Sequence, residues 1–200
     1  MFKNRFVLLI LLVVFLGIES YAQCYISNRR GSSKFSVELG AGMPILISPT
    51  KNPKFGDSKK VELGLRYLPR DNDFGLRGYY SFADLSDDTG KLEIHRLELQ
   101  GIYMLDHLLG IPYNSIFELE TYFGLGAALG KSSVRPSINK MIAITVGVRP
   151  RILIYNNRLH AYLDTSYGML LNQKYDYTGS ASGSSSGSML HLSVGLSYRL

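Results

Sequence analysis

The feature that most constrains the fold is a two-residue alternation of apolar and polar side chains, which recurs in eight runs after residue 34. The runs cover 35–47, 59–69, 74–84, 91–105, 117–130, 141–154, 158–170 and 189–200. Alternate side chains of a β-strand point to opposite faces, so each run predicts one strand with two different faces. Eight such strands in sequence predict an all-β, antiparallel up-and-down barrel.

One face of each predicted strand is apolar, and the other is small or charged. Glycine on the charged face leaves room in a narrow lumen, where opposite charges can pair. We predict a lumen charge network of six acids and six arginines, namely Glu38, Glu62, Arg66, Arg77, Arg96, Glu98, Glu118, Glu120, Arg149, Arg151, Asp164 and Arg199. The alternation fails between Ile94 and Leu97, where we predict a bulge or an extension beyond the main barrel wall.

Aromatic residues help to choose between two closed architectures. The apolar face points inward in a soluble lipocalin-like barrel and toward lipid in an outer-membrane barrel. Six strands carry an aromatic side chain at one level of the apolar face, as in the interfacial girdle of a membrane barrel. The predicted periplasmic girdle consists of Phe35, Tyr67, Phe74, Tyr103, Phe117 and Tyr198. The turns 70–73 and 155–158 at this end are short, as expected for the periplasmic side, whereas 106–116 is long.

The first 22 residues have the pattern of a cleaved secretory signal peptide. Lys3 and Arg5 precede an apolar run, and Ala22 stands before the expected cut. A transmembrane anchor is the alternative, but the run 6–18 is shorter than the roughly 20 residues that a spanning helix needs. We therefore expect an exported chain.

After the cut we expect a short periplasmic N-terminal segment at 23–34 and an outer-membrane barrel domain at 35–200. Cys24 follows the cut, but Gln23 and Tyr21 make a poor lipidation signal, so we do not expect a lipoprotein. A single cysteine also predicts no internal disulfide.

These features resemble a known family. The signal peptide, the eight amphipathic strands, "YFGLGAALG" (122–130) and the terminal "GLSYRL" (195–200) are similar to the small eight-stranded outer-membrane β-barrels, the OmpA/OmpX-like proteins of Gram-negative bacteria. The resemblance covers 35–200. It implies a location in the cell outer membrane and a last strand that the outer-membrane insertion machinery reads. Many members end in Phe, where this chain has Leu200.

Two short motifs invite a chemical interpretation. "GLGAALG" (124–130) has the spacing Gly-x-Gly-x-x-x-Gly, one residue too long for a dinucleotide loop, and we interpret it as lumen glycines on a strand. His191 and Ser193 resemble the His-x-Ser pair of PagL-type lipid A deacylases, but both would face the lumen and no acid can be assigned to orient the histidine. We predict that the protein is not an enzyme and has no cofactor and no metal site.

The expected role is structural or surface-exposed, in envelope integrity or adhesion. The formal charge of +6 is modest and spread out, so nucleic acid is not an expected partner. We expect a monomer that contacts outer-membrane lipids. Lipopolysaccharide is a further expected partner, because its phosphates can pair with basic residues in or beside the longer loops, namely Lys51, Lys54, Lys59, Lys60, Lys131, Arg135 and Lys140. A small porin or channel, a lipid A-modifying hydrolase and a soluble lipocalin-like binder are the alternatives.

Overall fold

A computed structural model shows eight antiparallel strands that close into a barrel, which confirms the predicted fold class. It describes residues 35–48, 58–69, 72–87, 90–112, 115–133, 137–156, 158–174 and 186–200. The predicted signal peptide, the segment 23–34 and Cys24 lie outside these residues. The strands are β1 (Phe35–Ser48), β2 (Lys59–Tyr67), β3 (Phe74–Asp87), β4 (Gly90–Met104), β5 (Phe117–Ser132), β6 (Ile138–Tyr155), β7 (Leu159–Leu171) and β8 (Ser186–Arg199).

Each strand pairs with its neighbours in the chain, and β1 pairs with β8 to close the barrel. The β1–β8 seam runs from Ser36 opposite Arg199 to Ser48 opposite Ser188. Closure satisfies the backbone groups that an open sheet would leave unpaired at its edges. Among the described residues, no helix is long and apolar enough to cross a bilayer.

The two ends of the barrel differ. We call the end where Phe35 and Leu200 lie the terminal end, and the opposite end, from which the connection between β1 and β2 leaves, the loop end. Asn156 has a φ of 47° in the turn between β6 and β7 at the terminal end, a conformation that asparagine tolerates better than most residues. Residues 105–112 and 115–116, the described part of the long connection after β4, also lie at this end. They include a turn in which Leu109 N donates to Leu105 O at 3.0 Å.

The exterior of the barrel is apolar over most of its height. Phe74 and Leu97 are each 64% exposed and Val194 is 62% exposed, although all three belong to regular strands. Charged side chains alternate with them and are buried, so the polar face is the inside. This orientation is the reverse of a lipocalin-like barrel, and that alternative is therefore wrong.

The predicted irregularity in strand 4 is also wrong. β4 pairs with β3 and with β5 without a register shift, and Leu92 and Ile94 lie on the same buried face as Arg96. The alternation continues, but the interior changes from charged to apolar toward the loop end. An apolar interior cluster fills that end, formed by Ala83, Leu85, Leu92, Ile94, Ala128, Met141, Ala143, Leu170 and Met189.

Candidate functional site in the barrel interior

The barrel interior holds most of the charges that the sequence places in the lumen. Eleven of the twelve predicted residues are less than a tenth exposed, from Arg77, Glu120 and Arg151 at 0% to Glu118 at 7%. Arg199 lies at the terminal end with a side chain 12% exposed, 4.0 Å from Glu118. Buried charges are tolerated when they are paired and hydrogen-bonded, so the contacts among these groups decide what the interior can do.

Lys60 also belongs to this network, although it was predicted to lie with the basic residues of the loops. Its side chain is 1% exposed, and Nζ lies 2.7 Å from Glu62 Oε2 and 3.2 Å from Ser193 Oγ. The sequence carried the signal, because Lys60 is in phase with Glu62 on β2. Among the described residues, five buried arginines and Lys60 thus face six buried carboxylates, so formal charge is balanced inside the barrel.

The centre of the network links strands that are not neighbours in the wall. Arg149 Nη1 on β6 donates to Glu38 Oε2 on β1 at 2.5 Å, and Arg149 Nε donates to Asp164 Oδ2 at 2.9 Å. Arg77 Nη1 on β3 donates to Glu120 Oε1 on β5 at 2.9 Å and lies 3.3 Å from Glu38 Oε2. The bonds from Arg149 to Glu38 and from Arg77 to Glu120 are charge-assisted and join strands that are not adjacent, whereas Arg149 and Asp164 lie on the neighbouring strands β6 and β7.

Three buried tyrosines complete the network, in addition to the acids and arginines that were predicted. Tyr79 and Tyr162 donate to the two carboxylate oxygens of Glu62 at 2.8 and 3.1 Å. Tyr122 donates to Asp164 Oδ1 at 2.7 Å. Two of the rings also make cation–π contacts. The Arg149 guanidinium lies 4.2 Å from the Tyr162 ring centroid, and the Arg77 guanidinium lies 4.4 Å from the Tyr122 ring centroid.

Interior glycines make room for these large side chains. A Cβ added to Gly40 would lie 2.6 Å from the Tyr162 hydroxyl, and one at Gly147 would lie 2.6 Å from the Tyr122 hydroxyl. Within the "GLGAALG" motif, a Cβ at Gly126 would come 2.7 Å from the Glu98 Cα. The motif lies on β5, where its glycines face the lumen side chains.

A second group of charges occupies the terminal end of the interior. Glu118 lies 3.6 Å from His160 Nε2 and 3.7 Å from Arg151 Nε. Arg151 also donates to Ser197 Oγ at 2.9 Å and contacts Glu120 at 3.2 Å. The charged interior is therefore continuous from the terminal end to the centre, and the apolar interior cluster lies beyond it.

His191 and Ser193 lie inside this interior and are 2% and 1% exposed. His191 Nε2 is 3.1 Å from Arg96 Nη1, and its Nδ1 has no hydrogen-bond partner among the described residues. Ser193 Oγ accepts from Lys60 rather than from the histidine. In the predicted His-x-Ser arrangement the histidine would contact the serine and a carboxylate would orient the histidine, whereas the contacts here give His191 an arginine and give Ser193 a lysine. No group of three possible metal-ligating side chains occurs in the part of the chain that the structure describes.

The predicted girdle residues all lie on the exterior at the terminal end. Phe35 and Tyr67 are cross-strand neighbours with ring centroids 4.9 Å apart, and Phe74 and Tyr103 form a similar pair at 4.7 Å. Tyr198 is 47% exposed. Phe117 stands opposite Ile152 on β6. Their role at a lipid interface stays a prediction.

Comparisons with known proteins agree with this architecture. No family model and no curated protein matches the sequence. Neisserial surface protein A superposes with a TM-score of 0.62 at 14% identity, over 85% of this chain and 99% of that chain. A major outer membrane protein from Thermus thermophilus gives 0.56 at 17% identity, over 84% and 100%.

The attachment invasion locus protein Ail of Yersinia pestis gives a TM-score of 0.50 at 13% identity, over 84% of this chain and 99% of that chain. At these identities the likeness is one of fold. This chain therefore has the fold of the small eight-stranded outer-membrane barrels, which confirms the resemblance that its sequence pattern predicted.

Proposed function

We propose that this protein is an integral outer-membrane barrel with a structural or surface-interaction role, oriented with its terminal end in the periplasm. The observation that carries the proposal is the apolar exterior, which includes Leu39, Leu65 and Leu99 at 59%, 53% and 62% exposure. Such a continuous apolar surface is unfavourable in water and fits the lipid-facing band of a membrane barrel. The structural neighbours, which are surface and outer-membrane proteins, support the same location.

The test is the electrophoretic mobility of the membrane fraction with and without heating. A folded membrane barrel is expected to migrate differently from its heat-unfolded form and to stay with the membranes. Recovery of the protein in the soluble periplasm with no mobility shift would contradict the proposal.

A closed interior favours a structural role over a channel. The lumen charges form ion pairs with one another, and the apolar interior cluster, including Leu85 and Leu170 at 0% exposure, occupies the loop end. An eight-stranded barrel is just wide enough for side chains to fill it. A small porin stays the alternative, and bilayer conductance distinguishes it.

Lipopolysaccharide is the partner that the loop end suits best. Lys59, Lys131 and Lys140 are exposed on the exterior just above the apolar band, at the height where lipid phosphates would lie. Lys91 instead pairs with Asp84 at 3.0 Å and with Glu93 at 2.9 Å. Ail has been crystallised with the heparin analogue sucrose octasulfate, a polyanion, which supports anion binding by this fold. Lys51, Lys54 and Arg135 lie outside the described residues.

The remaining partners follow from the same location. We propose a monomer surrounded by outer-membrane lipids, delivered by the insertion machinery that reads β8, with no nucleic-acid partner. Leu200 N donates to Phe35 O at 3.1 Å, so the chain is still paired at its last residue.

We further propose that the barrel has no enzymatic activity. The strongest contrary feature is the His191 and Ser193 pair, which is buried and lacks a suitable contact between the two side chains. A Ser193→Ala variant is expected to leave lipid A acylation unchanged in cells, by mass spectrometry of extracted lipid A. A difference in acylation between the variant and the parent would support a hydrolase instead.

A further inference from the structure

A groove of about 540 Å³ lies on the outside of the barrel near its terminal end, across β2 to β6. Gly101 lies on its floor, and the principal walls are Phe74, Leu76, Tyr103, Phe123 and Val146. Leu76 and Phe123 flank Gly101 on the two neighbouring strands. The groove is therefore a feature of tertiary structure that joins side chains from separate strands.

The floor of the groove is open at Gly101, which carries no side chain, and Gly78 on the neighbouring strand β3 also faces outward without lining the groove. A Cβ added to Gly78 would meet nothing within 4 Å, and one at Gly101 would meet only the Phe123 carbonyl oxygen, at 4.0 Å. The interior glycines differ, because a Cβ at Gly42 would come 2.6 Å from the Ser193 Cα. Packing inside the protein explains the interior glycines but not these two. Glycine within a strand often marks a place where a ligand approaches the backbone closely.

We propose that this groove binds one acyl chain of a phospholipid from the periplasmic leaflet. The inference rests on the proposed outer-membrane location, which makes lipid the surrounding medium at this height. The walls are almost entirely apolar, and the Thr121 hydroxyl among them already donates to Gly147 O at 3.0 Å. The groove thus matches a hydrocarbon chain and offers little to a polar ligand.

The border of the groove that is nearest the terminal end suits the headgroup and ester region of a phospholipid. Tyr67 and Tyr103 belong to the aromatic level at the terminal end, where amphipathic rings favour the headgroup zone. Their hydroxyls can donate hydrogen bonds to ester or phosphate oxygens, while the acyl chain lies over Gly101 between Leu76 and Phe123. The groove therefore has phenolic donors toward the terminal end and apolar walls farther from it, which is the polarity of a phospholipid in the periplasmic leaflet.

A second copy of the barrel fits less well than a lipid chain. A twofold contact would place the same surface of both subunits together. The concave floor at Gly101 would then face another concave floor, and the groove would stay unfilled. A flexible chain can enter such a space without a matching protrusion.

The first experiment is native mass spectrometry of barrels extracted from outer membranes in mild detergent. The parent protein is expected to retain one phospholipid, and a Gly101→Leu variant, whose side chain fills the groove, is expected to lose it. The matched control is Ala41→Leu, an exposed exterior position on β1, which is expected to keep the lipid. Equal retention of phospholipid by the parent and by Gly101→Leu would overturn the proposal. Retention of lipid A in place of a phospholipid would also overturn it, as would a dimer of the parent that the Gly101→Leu substitution abolishes.

The second experiment uses the parent protein, so it stands even if the variant fails to fold. A phospholipid with a photoactivatable diazirine in the middle of one acyl chain is reconstituted with the barrel, and labelled peptides are identified by mass spectrometry. Labelling is expected to concentrate on the segments around Leu76 and Phe123. Labelling spread evenly around the barrel would overturn the groove while leaving membrane insertion intact, whereas a protein that does not insert would contradict the proposed function itself.

Discussion

Arg149 on β6 binds Glu38 on β1 across the lumen, with Nη1 and Oε2 2.5 Å apart and the two residues 111 positions apart in the chain. Glu38 also lies 3.3 Å from Arg77 and 3.4 Å from Arg151, so one carboxylate of the first strand meets three guanidinium groups. Because each partner comes from a strand that is not adjacent to β1, the contact fixes distances across the barrel that backbone pairing does not.

Removal of the Arg149 side chain tests the weight of this contact. Arg149→Ala removes the guanidinium partner of Asp164 and one of the three that Glu38 has, which leaves the interior with one excess buried negative charge. We expect the free energy of unfolding to fall by about 3–5 kcal/mol. The measurement is urea unfolding of the reconstituted barrel. Arg158→Ala, in the exposed turn after β6, is the control and is expected to change stability by about 0.5 kcal/mol or less. Similar unfolding midpoints for the two variants would show that the network contributes little.

A charge on the exterior tests whether lipid covers it. Leu99 and Ile138 are almost equally exposed, at 62% and 61%, but Leu99 lies near the middle of the barrel and Ile138 at the loop end. In a membrane, we expect Leu99→Arg to destabilise the barrel by about 2–4 kcal/mol and Ile138→Arg by about 0–1 kcal/mol. Unfolding in lipid vesicles measures both. A soluble barrel would show two small and similar effects.

The filled interior predicts that the barrel does not conduct. The ion-paired centre and the apolar interior cluster leave mobile ions no favourable binding position along the axis. We expect single-channel recordings of the purified protein in planar bilayers to show no large, long-lived conductance, with a porin in the same bilayers as the positive control. Stable openings would instead support the channel alternative.

The exterior lysines at the loop end predict a stabilising effect of lipopolysaccharide. Lys131 and Lys140 lie on adjacent strands, where Lys131 pairs with Ile138 and Lys140 with Leu129. We expect lipopolysaccharide to raise the unfolding midpoint of the parent protein, and the double variant Lys131→Glu and Lys140→Glu to lose that gain because its carboxylates repel phosphate. Arg158→Glu, at the opposite end, should keep the gain. Dephosphorylated lipopolysaccharide that stabilises the parent equally would argue against phosphate recognition.

The strands and their two faces could be predicted from sequence because a two-residue period survives in every strand. The prediction was wrong at Leu92 and Ile94, where an apolar residue on the inner face looked like a break in the pattern. The polarity of a side chain identifies the face on which it lies only if the inward-facing side chains are polar along the whole barrel. In this barrel they change from ionic to apolar toward the loop end.

The contacts inside the barrel were beyond the sequence for a different reason. That Tyr122 reaches Asp164 and Tyr162 reaches Glu62 depends on how the strands are staggered when the sheet closes. Alternation assigns a residue to a face but does not say which residues meet across the lumen. The groove at Gly101 is similar, since its walls come from several strands and no single run of sequence contains them.

The β1–β8 seam determines when these charges lose their water. Glu38 belongs to the first strand and Arg149 to the sixth, so an open sheet leaves both hydrated and apart. Closing the seam dehydrates the carboxylates and the guanidinium groups together and provides their partners in the same event. In a partly closed sheet, the charged side chains would have lost part of their hydration without gaining their ion pairs, which disfavours partly closed intermediates. Pairing of the last strand with the first thus couples dehydration of the charged side chains and formation of their ion pairs in one cooperative step.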